Sequence, residues 1–129
     1  MRTVSELILR LERLQGKKQF CAREKRNCVR LLYPPQKRPI LKVKNHDVEV
    51  VDISEVGLRI FNYLQHDLGQ TIQGKVLFPS GVNYSLNGTV VWQFNNEIGV
   101  LSKRIPMLII EEEAEHLLRY FQQQQNKQY

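Results

Sequence analysis

The chain has 129 residues, 42% of them hydrophobic and 25% charged, with 19 Lys and Arg against 13 Asp and Glu. This composition excludes fibrous and low-complexity classes and fits one compact domain. The net charge of +6 is unevenly spread, because residues 1 to 44 hold 13 basic and 3 acidic residues, a net of +10, whereas residues 45 to 129 hold 6 and 10, a net of −4. A uniformly basic, histone-like protein is thereby excluded, and an anion-binding segment near the N-terminus is indicated.

Apolar runs are too short for a transmembrane helix and the N-terminus lacks a signal-peptide apolar block, so a cytoplasmic location without membrane insertion is expected. Cys21 and Cys28 match no zinc-site spacing and read as reduced thiols; neither a metal nor a cofactor is expected.

Thr3 with Glu6 has the form of a capping box, and Val4, Leu7, Leu11 and Leu14 follow at heptad a and d spacing until Gly16. The spacing predicts a short N-terminal amphipathic helix. Two heptads are too few to hold a coiled coil alone, so its stripe packs on its own domain or on a second subunit in a homodimer. Lys17 to Arg30 reads as a basic connector.

From Cys28 onward short β-rich runs alternate with turn residues. Strands are predicted at Val29 to Tyr33, Ile40 to Lys44, Val48 to Ile53, Leu58 to Tyr63, Thr71 to Phe78, Tyr84 to Phe94 and Ile98 to Ser102. Pro34-Pro35, Asn45-His46-Asp47, the Gly57 and Gly69 regions, Pro79-Ser80-Gly81 and Asn95-Asn96 separate them. This is a mainly β pattern that suits a small antiparallel barrel. After Pro106 a helix is predicted, with Ile110, Ala114, Leu117, Leu118 and Phe121 on one face and Glu111, Glu112 and Glu113 near its positive N-terminal end. That helix is expected to cover one mouth of the barrel. The organisation is therefore an N-terminal helix and connector at 1–22, a barrel at 23–105, and a C-terminal helix with a frayed glutamine-rich tail at 106–129.

No catalytic set emerges. His46, His66 and His116 fall on unrelated elements, neither cysteine has an evident base, and no phosphate-binding glycine motif is present, so no enzyme is expected. Two other motifs stand out. Arg26-Asn27-Cys28-Val29-Arg30 is an Arg-x-x-x-Arg in the basic segment, and Asp52-Ile53-Ser54-Glu55-Val56-Gly57 is an Asp-x-Ser-x-x-Gly where one strand turns into the next. From composition, the second motif alone arises by chance in about one such chain in fifty, and both together in on the order of one in a thousand. In this order, in a small β-rich region, they resemble the PilZ family of cyclic di-GMP receptors. The resemblance runs from Arg23 to Ser102 and implies a PilZ-type β-barrel flanked by helices.

The resemblance implies Arg26, Arg30, Asp52, Ser54 and Gly57 as ligand-binding residues, and the chemistry suits that ligand. A guanidinium pairs bidentately with phosphate or with guanine O6 and N7 and stacks on a purine face. Asp52 offers an acceptor for guanine N1–H and amino donors, Ser54 a hydroxyl, and Gly57 a close backbone approach or an unusual φ. Taken singly, Asp52 and Ser54 also suit a side-chain-stabilised turn. Lys25 stands where family members binding a stacked ligand pair often carry another arginine, and Arg23 adds phosphate attraction. Trp92, ending a β run, reads as a barrel core residue.

The implied function is a non-enzymatic cyclic di-GMP receptor that changes conformation and signals through a downstream protein to motility, exopolysaccharide, biofilm or virulence outputs. The alternatives are a basic barrel binding RNA or single-stranded DNA, against which stands the absence of interleaved basic and aromatic strand residues, and a PilZ-like adaptor acting through protein contacts alone.

Overall fold

A computed structural model describes residues 30–126 of the chain. The order is β1 (Leu31–Leu32), a 3-10 turn (Pro35–Lys37), β2 (Ile40–Val43), β3 (His46–Ser54), β4 (Gly57–Phe61), β5 (Thr71–Leu77), β6 (Asn83–Phe94), β7 (Glu97–Ser102) and α1 (Met107–Asn126). The strand order β3-β2-β5-β6-β7-β4 returns to β3, since β3 pairs with β2 through its first half and with β4 through its second. All pairings are antiparallel, so six strands form a closed barrel. β1 adds to the far end of β3, with Leu31 opposite Ile53 and Leu32 opposite Asp52.

The predicted strands are present, with shifted ends. Lys44-Asn45 and Asn95-Asn96 all adopt positive φ, as the two-residue turns that match strand twist require. Because Lys44-Asn45 completes the first turn, His46 and Asp47 belong to β3 and not to the turn predicted there. Alternate residues point inward, and Leu41, Val50, Ile53, Ile60, Ile72, Val76 and Leu86 are almost wholly buried.

Two irregularities break this alternation. Between Val50 and Asp52 on β3, and between Val90 and Trp92 on β6, one extra residue enters the ladder. Each bulge shifts the side chains beyond it to the other face. The first leaves its backbone satisfied: Val50 N–H donates to the Pro39 carbonyl at 2.9 Å and the Val51 carbonyl accepts from Tyr33 N–H at 3.0 Å.

Ile110, Ala114, Leu117 and Leu118 of α1 join the same core cluster as the strand residues, as their spacing predicts. The acidic triplet departs from expectation. α1 begins at Met107, so its first turn holds no acidic residue. Glu113, three residues after Ile110 and four before Leu117, lies within the apolar stripe and is fully buried. Tyr33 Oη donates to Glu113 Oε1 at 2.7 Å, and Ser80 Oγ, from the β5–β6 connection, donates to Oε2. One carboxylate thus ties α1 to the end of the barrel.

Burial pushes the Glu113 carboxyl above the ordinary glutamate value, against the pull of the two hydroxyl donors. The folded chain therefore holds this proton to higher pH than the unfolded chain, and the contribution to stability falls as pH rises between the two values. Glu113→Gln is expected to equal or exceed the parent in thermal melting at neutral pH and to flatten its pH dependence. Glu113→Ala, which strands two hydroxyls, is expected to lose about 2–3 kcal/mol.

Candidate functional site

The β3 bulge decides where the second motif points. With Val48 and Val50 facing inward, unbroken alternation would bury Asp52 in the core; the extra residue turns it onto the outer face, opposite Arg59 of β4, while Ile53 returns to the interior. The β6 bulge does the same for Trp92. Asp52, Arg59, Gly99 and Trp92 consequently form one row across β3, β4, β7 and β6 on the barrel exterior.

Trp92 is 43% exposed, so it is not the core residue its place in the β run suggests. Its indole lies against Gly99, where a Cβ would stand 2.1 Å from Trp92 Nε1. Only a glycine admits the ring at that position. Exposed Val56, Val91 and Leu101 complete the apolar side of an open pocket whose polar side is Arg30, Asp52, Ser54 and Arg59.

The Asp52 side chain is only 3% exposed although it lies on the outer surface. Arg59 Nη2 stands 2.8 Å from its Oδ2 and Arg30 Nη1 3.7 Å from the same oxygen. The Arg59 guanidinium reaches Glu97 with its other terminal nitrogen, at 3.2 Å. Burial raises the Asp52 carboxyl above its ordinary value, while Arg59 first and Arg30 second draw it back down. Asp52 Oδ2 is thus held by two guanidinium groups, while the buried Arg59 Nε has no hydrogen-bond partner.

Ser54 and Gly57 build the turn. Val56 N–H donates to Ser54 Oγ at 3.4 Å, and the Ser102 and Ile105 N–H groups donate to the Val56 and Glu55 carbonyls at 2.8 and 2.7 Å. Arg104 further grips Glu55, at 2.7 Å from Nε. Gly57 has no left-handed backbone; its requirement is space, since a Cβ would lie 2.0 Å from the Val100 carbonyl oxygen. Of the two alternatives for this glycine, close approach is the one realised.

Arg30, Asp52, Ser54 and Gly57 are thus brought together around one pocket. Arg26, Lys25 and Arg23, like Cys21, Cys28 and the Val4 to Leu14 stripe, lie outside the described residues. Arg59 and Glu97 were not singled out from the sequence. The signal for Arg59 was present: it is the one charged residue in a short apolar strand, and its neighbours Leu58 and Ile60 are the inward pair. A second departure concerns histidine. His46 and His66 stack with ring centroids 3.8 Å apart, so those two elements meet. They lie apart from the pocket, and His66 is held by Asn62, whose side chain bonds both its N–H and its carbonyl.

Gly99→Ala is expected to lift the indole off β7. Because Trp92 is the only tryptophan in the chain, the change is read directly as a shift of its fluorescence emission, with the barrel signal in circular dichroism retained.

Among curated proteins none matches the chain. An uncharacterized protein of Legionella, known from a crystal structure, superposes with a TM-score of 0.50 at 17% identity, over 77% of this chain and 96% of that one, a likeness of fold. The PilZ domain family model matches residues 24–123, a span that contains both motifs, the whole barrel and most of α1. The protein therefore belongs to the PilZ domain family, a family of cyclic di-GMP receptors.

Proposed function

We propose that the protein is a non-enzymatic receptor for cyclic di-GMP. The observation that carries this reading is the meeting of the two motifs: the last arginine of Arg-x-x-x-Arg stands 3.7 Å from the aspartate of Asp-x-Ser-x-x-Gly, at the mouth of an exterior pocket. A planar guanidinium beside a carboxylate serves a guanine nucleotide twice, offering donors to phosphate or base and an acceptor to the N1–H edge. Trp92 and the apolar groups around it offer a face on which a purine stacks.

The pocket on the barrel holds about 140 Å³, well below the roughly 300–1,000 Å³ of sites that enclose a small molecule. A cyclic dinucleotide therefore needs a second wall. In this proposal the segment preceding Arg30 supplies it, with Arg26 as the second gripping arginine, Lys25 and Arg23 adding charge, and the +10 balance of residues 1 to 44 steering the dianion. Binding then favours one arrangement of the N-terminal segment over another, repositioning the Val4 to Leu14 stripe for a downstream protein partner, within the limit set by the ligand's preference between the two.

Isothermal titration calorimetry is expected to show cyclic di-GMP binding that is lost in Arg30→Ala and in Asp52→Ala while circular dichroism stays unchanged. Loss of one close charged contact costs about 2–5 kcal/mol, enough to abolish micromolar affinity. Retained affinity in both variants refutes the assignment. The same titration should quench or shift Trp92 fluorescence, and Trp92→Ala should weaken binding about tenfold, as the loss of a stacking face predicts. Light scattering on the same samples reports ligands per chain and any change of oligomeric state.

A further inference from the structure

We propose that Arg59 is the residue that selects guanine over adenine in this pocket. The inference rests on the cyclic di-GMP reading above and extends it to a residue that lies outside both motifs. Arg59 stands directly across the ladder from Asp52, with its Nη2 2.8 Å from Oδ2, and lines the same pocket as Trp92. Glu97 holds the opposite nitrogen at 3.2 Å, so the guanidinium is held between two carboxylates instead of swinging free. Its side chain is 30% exposed and lines the pocket, and its fork carries more donors than the two carboxylate contacts use.

A donor and an acceptor fixed side by side form a complementary pattern for one purine edge. Guanine presents O6, an acceptor, next to N1–H and the 2-amino group, both donors; Arg59 meets the first and Asp52 the others. Adenine presents the reverse, an amino donor at position 6 beside an unprotonated N1, so its donor faces a cation and its acceptor faces a carboxylate. Sites that leave their own polar groups unpaired against the wrong ligand discriminate strongly.

The buried Arg59 Nε, which has no hydrogen-bond partner, adds a second observation: the guanidinium keeps donor capacity that neither Asp52 nor Glu97 uses. Arg30, arriving from the β1 side, stands farther from the same oxygen, at 3.7 Å, and in this proposal serves phosphate or the second base.

The test compares cyclic di-GMP, cyclic di-AMP and cyclic di-IMP by calorimetry on the full chain and on Arg59→Met and Arg59→Lys. The inosine analogue keeps O6 and N1–H and lacks only the 2-amino group. The parent is expected to bind the guanine and inosine dinucleotides and to reject the adenine one. Arg59→Met is expected to narrow the guanine-to-adenine ratio by about tenfold or more, to weaken guanine and inosine ligands by the same factor, and to melt at a lower temperature than the parent while keeping its circular dichroism at the temperature of the titration. Arg59→Lys, which retains a donor for O6, is expected to restore most of the discrimination. Parent protein that binds cyclic di-GMP, with the guanine-to-adenine ratio unchanged in Arg59→Met, overturns this inference alone. A parent that takes up none of the three overturns the receptor reading with it. If Arg59 served only to orient Asp52, which faces the 2-amino group that inosine lacks, the guanine-to-inosine ratio would fall in Arg59→Met, and the assignment of O6 to Arg59 would fail.

Discussion

A carboxylate on the outside of a barrel is ordinarily wet, and Asp52 is not. The β3 bulge delivers it to the outer face, but Arg59 from the neighbouring strand and Arg30 from the approach to β1 close over it. An ionised group in that position is tolerable only with its counterions in place, because an uncompensated buried charge is strongly destabilising. The rest of the site follows from that condition. Arg59 must be extended across the ladder, Glu97 must anchor its far side, Gly99 must be bare so that Trp92 can lie beside it, and the turn from Ser54 to Gly57 must be pinned so that β3 and β4 keep their register.

Pinning is achieved by backbone more than by side chains. Ser102, which ends β7, and Ile105 beyond it donate to the Val56 and Glu55 carbonyls of the turn, and Gly57 lets β4 pass against Val100 with no room for a methyl group. A serine and a glycine that look, one at a time, like ordinary turn chemistry therefore do two jobs. They fold the turn, and they set the distance at which Arg59 meets Asp52. The bland account of the motif and its functional account are the same geometry seen at two scales.

Much of this was legible in the residues. Seven β runs, the asparagine turns and the buried face of α1 follow from alternation and helical spacing, and the two motifs carry the pocket's polar half. What escaped has several causes. Period-two reading assigns Trp92 to the interior because Leu86 and Val90 point there, and nothing in the residues announces the extra one at the β6 bulge. The charge of Glu113 suggests a helix-end residue, whereas its position, between Ile110 and Leu117, places it on the buried face. A single arginine in a strand is ordinarily solvated, and the significance of Arg59 depends on the bulge that turns Asp52 toward it. The stack of His46 on His66 joins two positions that no local pattern links.

β1 is only two residues long, yet both of its flanks are occupied. Arg30, just before it, stands beside Asp52 in the pocket, and Tyr33, just after it, donates a hydrogen bond from its hydroxyl to Glu113 in α1. Leu31 and Tyr33 are buried, so this stretch has little freedom to absorb a movement within itself. The chain from Arg30 to Tyr33 acts as a short tie rod between the mouth of the pocket and the C-terminal helix. The shortest covalent path from the pocket to the C-terminal helix is therefore four residues long and bypasses the closed ring of strands.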